Sequence, residues 1–123
     1  MTAVDLKLQE FAFVFEAAET TGGTFAFQVE NVGQQARQIV IEQVPAGLDL
    51  EQAAQAFVTG VEPEGTEEVG FLAALPPGAK HTVVFTEALS PGRYALLCFL
   101  PDENDPAATP HALKGMVADF TVE

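Results

Sequence analysis

The stretch PGRYALLCFLPDENDPAATPHALKGM, residues 91–116, contains the only cysteine of the chain, one of its two histidines and one of its two methionines. A strand introduced by a Pro-Gly turn ends near Cys98, a loop with three prolines follows, and the chain enters another strand just after His111, at Met116. If these two strands are neighbours, the three side chains can meet at one end of the fold. Thiolate, imidazole and thioether are the ligands that copper selects, so this stretch is a candidate copper site.

Alternation of apolar and polar residues dominates the rest of the chain and predicts short β-strands. The predicted strands are VDLKL from Val4, FAFVF from Phe11, TFAFQVEN from Thr24, RQIVIEQV from Arg37, GFLAAL from Gly70, KHTVVFTE from Lys80 and GMVADFTVE from Gly115. Turns rich in Gly and Pro separate them, among them TTGG at residues 20–23. About eight such strands predict an all-β fold, an antiparallel Greek-key β-sandwich, formed by residues 1–123 as a single domain.

One segment departs from the strand pattern. LDLEQAAQAF has apolar residues at helical spacing, Asp49 as a candidate N-cap and Gln52 three residues later, which predicts a short helix near Asp49 to Phe57. The following segment VEPEGTEEVG, residues 61–70, has four glutamates among Pro and Gly and predicts an exposed acidic loop.

Composition narrows the classes of partner. The 123 residues are 48% hydrophobic, and 18 Asp and Glu against five Lys and Arg give a formal net charge of −13. Such a charge opposes binding to nucleic acid and to anionic lipid head groups. It indicates either a solvated surface or a docking face for a basic protein partner, and we expect the protein to be a monomer.

The chain has no recognisable targeting or membrane signal. Its apolar runs fall well short of the roughly 20 residues that span a bilayer, so no membrane insertion is expected. The opening MTAVDLKLQE lacks a basic region followed by an apolar one, so it is not a signal peptide. A single cysteine excludes an internal disulfide and leaves the redox compartment open. The sequence is compatible both with a cytoplasmic protein and with the mature part of an exported one.

The segments PGRYALLCFLPDENDPAATPHALKGM and FAFQVENVGQQARQIVIEQVPAG resemble the cupredoxin family of blue-copper β-sandwiches. The resemblance covers nearly the whole chain and implies an extracytoplasmic protein. It further implies that Cys98 is the thiolate ligand, His111 the imidazole ligand of the loop and Met116 the axial thioether. Two features depart from the family pattern: Arg37 stands where the first copper histidine is expected, six residues after Asn31, and twelve residues separate the cysteine from the loop histidine.

Arg37 is the more consequential departure. A guanidinium remains protonated and has no free lone pair, so it cannot coordinate copper, and it places a positive charge next to the site. His81, in GAKHTVVF, lies early in another strand and is predicted to be an exposed polar residue rather than a substitute ligand. Cys98 and Met116 can also be explained as ordinary core residues.

Other chemistries find less support in the sequence. Three acidic residues of DENDP, namely Asp102, Glu103 and Asp105, could bind calcium, but the spacing of an EF-hand loop is absent and a solvated loop explains them better. The sequence contains no glycine-rich phosphate loop, no CxxC pair and no Gly-x-Ser-x-Gly motif. We therefore do not expect an enzyme.

Two functions follow from these observations. In one, the protein is a metal-free binding module with the cupredoxin fold, in which Arg37 fills the degenerate copper site and the acidic surface meets a partner. In the other, Cys98, His111 and Met116 bind copper for Cu(I) carriage or electron transfer, with Cu(I) favoured because it accepts low coordination.

Overall fold

The computed structural model describes residues 2–15, 19–20, 24–85 and 87–122. Within these ranges the chain forms nine β-strands, one α-helix and one 3-10 turn. They are β1 (Thr2–Gln9), β2 (Ala12–Val14), β3 (Glu19–Thr20), β4 (Phe25–Asn31), β5 (Arg37–Val44), α1 (Leu50–Val58), β6 (Glu67–Leu75), β7 (Lys80–Val84), β8 (Gly92–Leu97), the 3-10 turn (His111–Lys114) and β9 (Val117–Val122).

The strands form two sheets, with the orders β2-β1-β4-β7 and β3-β9-β8-β5-β6. Neighbours that are distant in sequence require crossover connections, as in a Greek-key sandwich. The predicted Greek-key sandwich is therefore confirmed: of the seven pairings between the described strands, five are antiparallel and two are parallel. β1 pairs with β4 in parallel, and so does β3 with β9. Alternating apolar residues show which face of a strand is buried, but they carry no information on the direction of its neighbour.

The inner faces of the two sheets enclose the main core. Tyr94 and Phe120 of the five-stranded sheet stack with ring centroids 5.3 Å apart, and Phe27 of the other sheet meets Phe120 edge-on at 5.5 Å. The hydroxyl of Tyr94 donates to the carbonyl of Ser90, so the phenol is buried without losing its hydrogen bond. These contacts join the sheets through the alternate residues of each strand.

Helix α1 packs on the outer face of the five-stranded sheet. Asp49 is its N-cap, because its carboxylate accepts hydrogen bonds from the backbone N–H groups of Glu51 and Gln52. Ala53 and Ala54 are the buried residues of the helix, and Ala54 belongs to a second apolar cluster with Leu97 of β8. The prediction of one short helix near Asp49 to Phe57 is confirmed.

Three local predictions need correction or fall outside the structure. Phe11 lies in the turn between β1 and β2 with φ 59°, so only Ala12–Val14 of FAFVF is a strand. Glu67 and Glu68, predicted to lie in the acidic loop, begin β6, where the edge of the sheet leaves their side chains exposed. Thr20 of the predicted TTGG turn lies in β3, and residues 21–23 lie outside the described residues.

In the part of the chain that the structure describes, no helix has both the length and the apolar character that a bilayer crossing needs.

Candidate functional site

The predicted site residues lie at one end of the sandwich. β1 and β4 finish together at this end, where Leu8 pairs with Asn31. β8 also finishes here and β9 begins, because Leu97 pairs with Val117. β5 starts at this end with Arg37. The fold therefore collects the residues that follow β4 and β8 and those that precede β5 and β9.

Cys98 and His111 are brought into contact. The thiol Sγ of Cys98 lies 3.4 Å from Nδ1 of His111, and both residues have 0% exposure. Two backbone hydrogen bonds fix this register: the N–H of Ala112 donates to the Cys98 carbonyl and the N–H of His111 donates to the Leu100 carbonyl, each over 2.8 Å. The cysteine thus follows the last residue of β8 directly, and the histidine opens the 3-10 turn beside it.

The long loop returns to its starting point. Pro101 and Pro110 form an isolated antiparallel bridge, and the Asp102 N–H donates to the Thr109 carbonyl over 2.9 Å. The twelve residues between the cysteine and the histidine therefore form a loop whose two ends are held together. Their number does not move His111 away from Cys98.

The loop is also tied to the 3-10 turn by ion pairs. Lys114 contacts Asp102 over 2.8 Å and Asp105 over 3.0 Å. The hydrogen bond from Lys114, followed by one from Gln35, holds the pKa of Asp102 well below its usual range. The pKa of Asp105 falls to about 2 because of hydrogen bonds from Thr109, the Ala107 backbone and Lys114. Two of the three DENDP carboxylates are therefore engaged by a lysine of the chain.

A glutamine fixes the tautomer of His111. Nε2 of Gln35 donates to Asp102 Oδ1 over 2.8 Å, which orients the amide so that its oxygen faces the histidine. That oxygen accepts from the Glu103 N–H over 2.9 Å and lies 3.0 Å from His111 Nε2. Because an amide oxygen can only accept, Nε2 of the imidazole carries the proton and donates it to this bond. The lone pair of Nδ1 therefore points to Cys98 Sγ.

Arg37 has no exposed surface and is held by two partners. Nη1 donates to the Gln35 carbonyl over 2.8 Å, and Nη2 donates to Glu10 Oε2 over 2.7 Å. The other carboxylate oxygen of Glu10 accepts from the Gln34 N–H over 2.6 Å. Nε of Arg37 has no hydrogen-bond partner among the described residues. The guanidinium thus lies inside the end of the sandwich, and its charge is balanced by Glu10 at the rim.

The guanidinium of Arg37 packs closely against Gly33, whose lack of a side chain leaves room for it. A Cβ atom built at Gly33 would lie 2.6 Å from Nη1 and 2.9 Å from Cζ of Arg37. The turn is fixed by Asn31, whose side chain accepts from the Gly33 N–H and donates to the carbonyls of Gln35 and Leu75. A side chain larger than hydrogen at Gly33 and the buried Arg37 therefore exclude each other in this arrangement.

The electrostatics of the site favour neutral Cys98 and His111. Burial raises the pKa of the Cys98 thiol, although hydrogen bonds from the Gln38 and Leu100 backbones and the charge of Arg37 oppose this rise. Burial, followed by the positive charge of Arg37, lowers the pKa of His111. The contact between them is therefore that of a thiol and a neutral imidazole, with the Gln38 N–H approaching Sγ at 3.5 Å.

Met116 and His81, the other two residues considered as ligands, lie in different parts of the fold. Met116 is fully buried in the same core cluster as Cys98, and its N–H donates to the His111 carbonyl over 3.1 Å. His81 is exposed on β7, in the opposite sheet from Cys98, where it pairs with Val29. The structure thus brings together Cys98, His111 and the backbone of Met116, and it leaves His81 apart.

The donor set does not match a trigonal copper site of two imidazoles and one thiolate. In the described ranges, no group of three or more His, Cys, Asp and Glu side chains could hold a metal ion. The soft and borderline donors among the predicted residues are the Cys98 thiol, the Nδ1 lone pair of His111 and the thioether of Met116, and the positive charge of Arg37 acts on both Cys98 and His111.

Two residues of this site are not among those predicted from the sequence. Gln35 is 3% exposed and joins His111 to Asp102, whereas Glu10 pairs with Arg37 from the β1–β2 turn. Residue type alone does not mark a loop glutamine as part of a site. The position of Gln35 is a signal, because it stands two residues before Arg37 and follows an Asn-x-Gly turn. No such signal exists for Glu10.

Solved structures with similar folds match this chain over nearly its whole length. Reduced auracyanin from the photosynthetic bacterium Roseiflexus castenholzii has a TM-score of 0.63 and 25% identity, and the match covers 100% of this chain and 98% of that one. Auracyanin A, a blue copper protein from Chloroflexus aurantiacus, has a TM-score of 0.63 and 16% identity, with coverages of 99% and 98%. Rusticyanin from Thiobacillus ferrooxidans has a TM-score of 0.61 and 13% identity, with coverages of 100% and 79%.

The chain has a cupredoxin-like fold. The resemblance stated from the sequence is confirmed at the level of this fold. No family model matches the sequence, and a search of curated proteins found no match either. Within the cupredoxin-like fold, the end that carries Cys98 and His111 is the candidate functional site.

Proposed function

We propose that this protein is a cupredoxin-like binding module that works without copper. The observation that carries the proposal is the buried Arg37, whose guanidinium bonds to the Gln35 carbonyl and to Glu10 at the end of the sandwich. A cation at Cys98 and His111 would be repelled by this charge, at a cost on the order of a few kcal/mol in a partly buried site. The same guanidinium stabilises the pocket without metal, because it joins two turns of the chain.

Copper titration of the reduced protein tests the proposal. We expect the wild type to remove no Cu(I) from an equimolar chromophoric chelator such as bicinchoninate under anaerobic conditions. With Cu(II), we expect no intense thiolate-to-copper absorption. A stoichiometric transfer of Cu(I) to the wild type that is lost in Cys98→Ser would contradict the metal-free role.

Cu(I) carriage is the second candidate, and one specific observation favours it. The Nδ1 lone pair of His111 faces Cys98 Sγ at 3.4 Å, so two soft or borderline donors are already adjacent. Met116, buried in the same core cluster as Cys98, would supply a third donor after a local rearrangement. Transfer of Cu(I) from the chelator that depends on both Cys98 and Met116 would support this candidate.

The proposed role is non-enzymatic and extracytoplasmic, and its partner is a basic protein. The location follows from the resemblance to cupredoxins, and the partner follows from the net charge of −13. Fractionation of the source cells with an antibody against the protein tests the location. Recovery in the cytoplasmic fraction alone would contradict it.

A further inference from the structure

Strand β6 is an unusually exposed edge. It ends the five-stranded sheet, and β5 is its hydrogen-bonded neighbour among the described strands. Its nine residues are more than a typical strand has, and the run VGFLAAL at residues 69–75 contains no charge. Sheet edges are normally protected by charge, proline, bulges or short length, because their free backbone groups can pair with another chain. The register of β6 against β5 shifts on either side of residues 70–72, which themselves pair regularly with residues 39–41. Phe71, in the middle of the run, is 56% exposed.

The N-terminal end of β6 is strongly acidic. Glu67 and Glu68 are exposed at the start of β6, and Glu62 is exposed in the loop before it. Glu42 of β5 pairs with Glu68 and is 5% exposed, yet its Oε2 has no hydrogen-bond partner among the described residues. Burial, followed by the charges of Glu62, Glu68 and Glu67, raises the pKa of Glu42 to about 7. A buried carboxyl group thus lies in the negative potential of three other glutamates.

Four of the five Lys and Arg residues of the chain form ion pairs elsewhere, and the fifth, Lys80, lies opposite Glu30 in the other sheet. In the described ranges, the ion pairs join Lys7 to Glu30, Arg37 to Glu10, Arg93 to Asp119, and Lys114 to Asp102 and Asp105. None of them reaches the acidic end of β6. Its negative potential is therefore available to a cation from outside the chain.

We infer that the edge of β6 is a docking site for an extended cationic segment of another protein, which adds as a strand. Backbone hydrogen bonds around residues 70–72, the regular part of the strand, would supply affinity, and an apolar side chain of the segment would cover Phe71. Lysine or arginine side chains at one end of the segment would meet Glu67 and Glu68, which fixes the register. A second copy of this chain is a poorer occupant because both copies carry a charge of −13.

This inference rests on the proposed binding role and names its partner class, but its test is independent of the copper pocket. The probe is a synthetic ten-residue peptide of alternating Val and Thr with three lysines at one end. One control peptide has glutamates in place of the lysines, and another keeps the lysines but has Gly and Ser in place of Val and Thr. We expect the first peptide to shift the amide resonances of residues 67–75 and to bind at least tenfold more tightly than either control.

Matched variants locate the site. Phe71→Lys should abolish binding of the cationic Val/Thr peptide, and Phe71→Thr, which keeps the strand propensity, should weaken it. Val84→Lys is the control, because Val84 is 47% exposed on β7, the edge of the other sheet, and the charge change is the same. The double variant Glu67→Gln/Glu68→Gln should weaken binding roughly three- to tenfold at low salt.

Three outcomes would overturn the inference. One is an equal loss of affinity in Phe71→Lys and Val84→Lys, and another is a set of shifts spread over the whole acidic surface. The third is a wild-type dimer, seen by light scattering, that Phe71→Lys dissociates, since the occupant would then be a second copy. Copper binding by the wild type would contradict the metal-free role but leave the peptide result unchanged, so the two failures can be told apart.

Discussion

Gly33 and Arg37 are packed so closely that a Cβ atom at Gly33 would lie 2.6 Å from Nη1 of the guanidinium. Arg37 cannot move away easily, because it is fully buried and bonded on both sides. The glycine is thus part of the arrangement that admits an arginine into the end of a cupredoxin-like sandwich.

Gly33→Ala should therefore destabilise the protein by roughly 1–3 kcal/mol, as overpacking of a rigid site does. Gly47→Ala is the matched control, since a Cβ atom there meets nothing within 4 Å, and its change should stay within about 0.5 kcal/mol. Urea unfolding of both variants measures the difference. In the background of Arg37→Ala, the cost of Gly33→Ala should largely disappear, and an unchanged cost would mean that the guanidinium is not the obstacle.

Gln35 should be among the most sensitive polar residues of the site. Gln35→Ala leaves His111 Nε2 and the Glu103 N–H without their partner and removes one of the two hydrogen bonds to Asp102 Oδ1, which should cost roughly 2–4 kcal/mol of unfolding free energy. The neighbouring Gln34→Ala removes an exposed side chain and should cost less than about 0.5 kcal/mol. Similar costs in the two variants would contradict the bridging role of Gln35.

The tautomer of His111 gives a spectroscopic prediction. Nitrogen-15 NMR of the wild type should show a protonated Nε2 and an unprotonated Nδ1, because Nε2 donates to the Gln35 oxygen. The opposite tautomer would mean that the Gln35 amide is oriented the other way.

Glu42 should make the protein less stable as the pH rises from about 4.5 to about 7. Its pKa is about 7 in the folded protein and near 4.5 when unfolded, so the folded state binds the proton more tightly over this interval. Stability falls with pH wherever the unfolded state binds fewer protons. Glu42→Gln should remove this slope and raise the unfolding free energy at pH 8 by on the order of 1–2 kcal/mol.

Glu64→Gln is the control for Glu42, because Glu64 is exposed in the loop before β6. It should leave the pH slope of the unfolding free energy nearly unchanged. If Glu42→Gln is no more stable than the wild type at pH 8, another group or a bound cation compensates Glu42.

Much of the fold could be predicted because apolar alternation reports burial directly. The helix was located through Asp49, whose capping role has a clear chemical signature. Parallel pairing of β1 with β4 could not be predicted, since it depends on which strands the crossovers bring together. Glu67 and Glu68 were assigned to a loop because the sequence does not reveal that β6 is an edge, where a strand tolerates charge.

The site was only partly accessible from the sequence. The position of Cys98 at a strand end follows from local pattern, but its approach to His111 depends on the strands on either side of the loop being neighbours, which local pattern does not decide. The twelve residues between Cys98 and His111 depart from the family pattern, but the bridge between Pro101 and Pro110 closes the loop. Glu10 could not be anticipated, because its ion pair with Arg37 joins residues 27 positions apart.

The replacement of Arg37 by histidine tests the central claim most directly. Arg37→His removes the buried positive charge and supplies an imidazole where the resemblance to cupredoxins expects one. On addition of Cu(II) under identical conditions, the wild type should stay colourless, and Arg37→His should gain at least partial blue or green thiolate-to-copper absorption. Arg37→Met is the control that removes the charge without adding a ligand, and it should stay colourless. An intense blue absorption in the wild type would contradict the account.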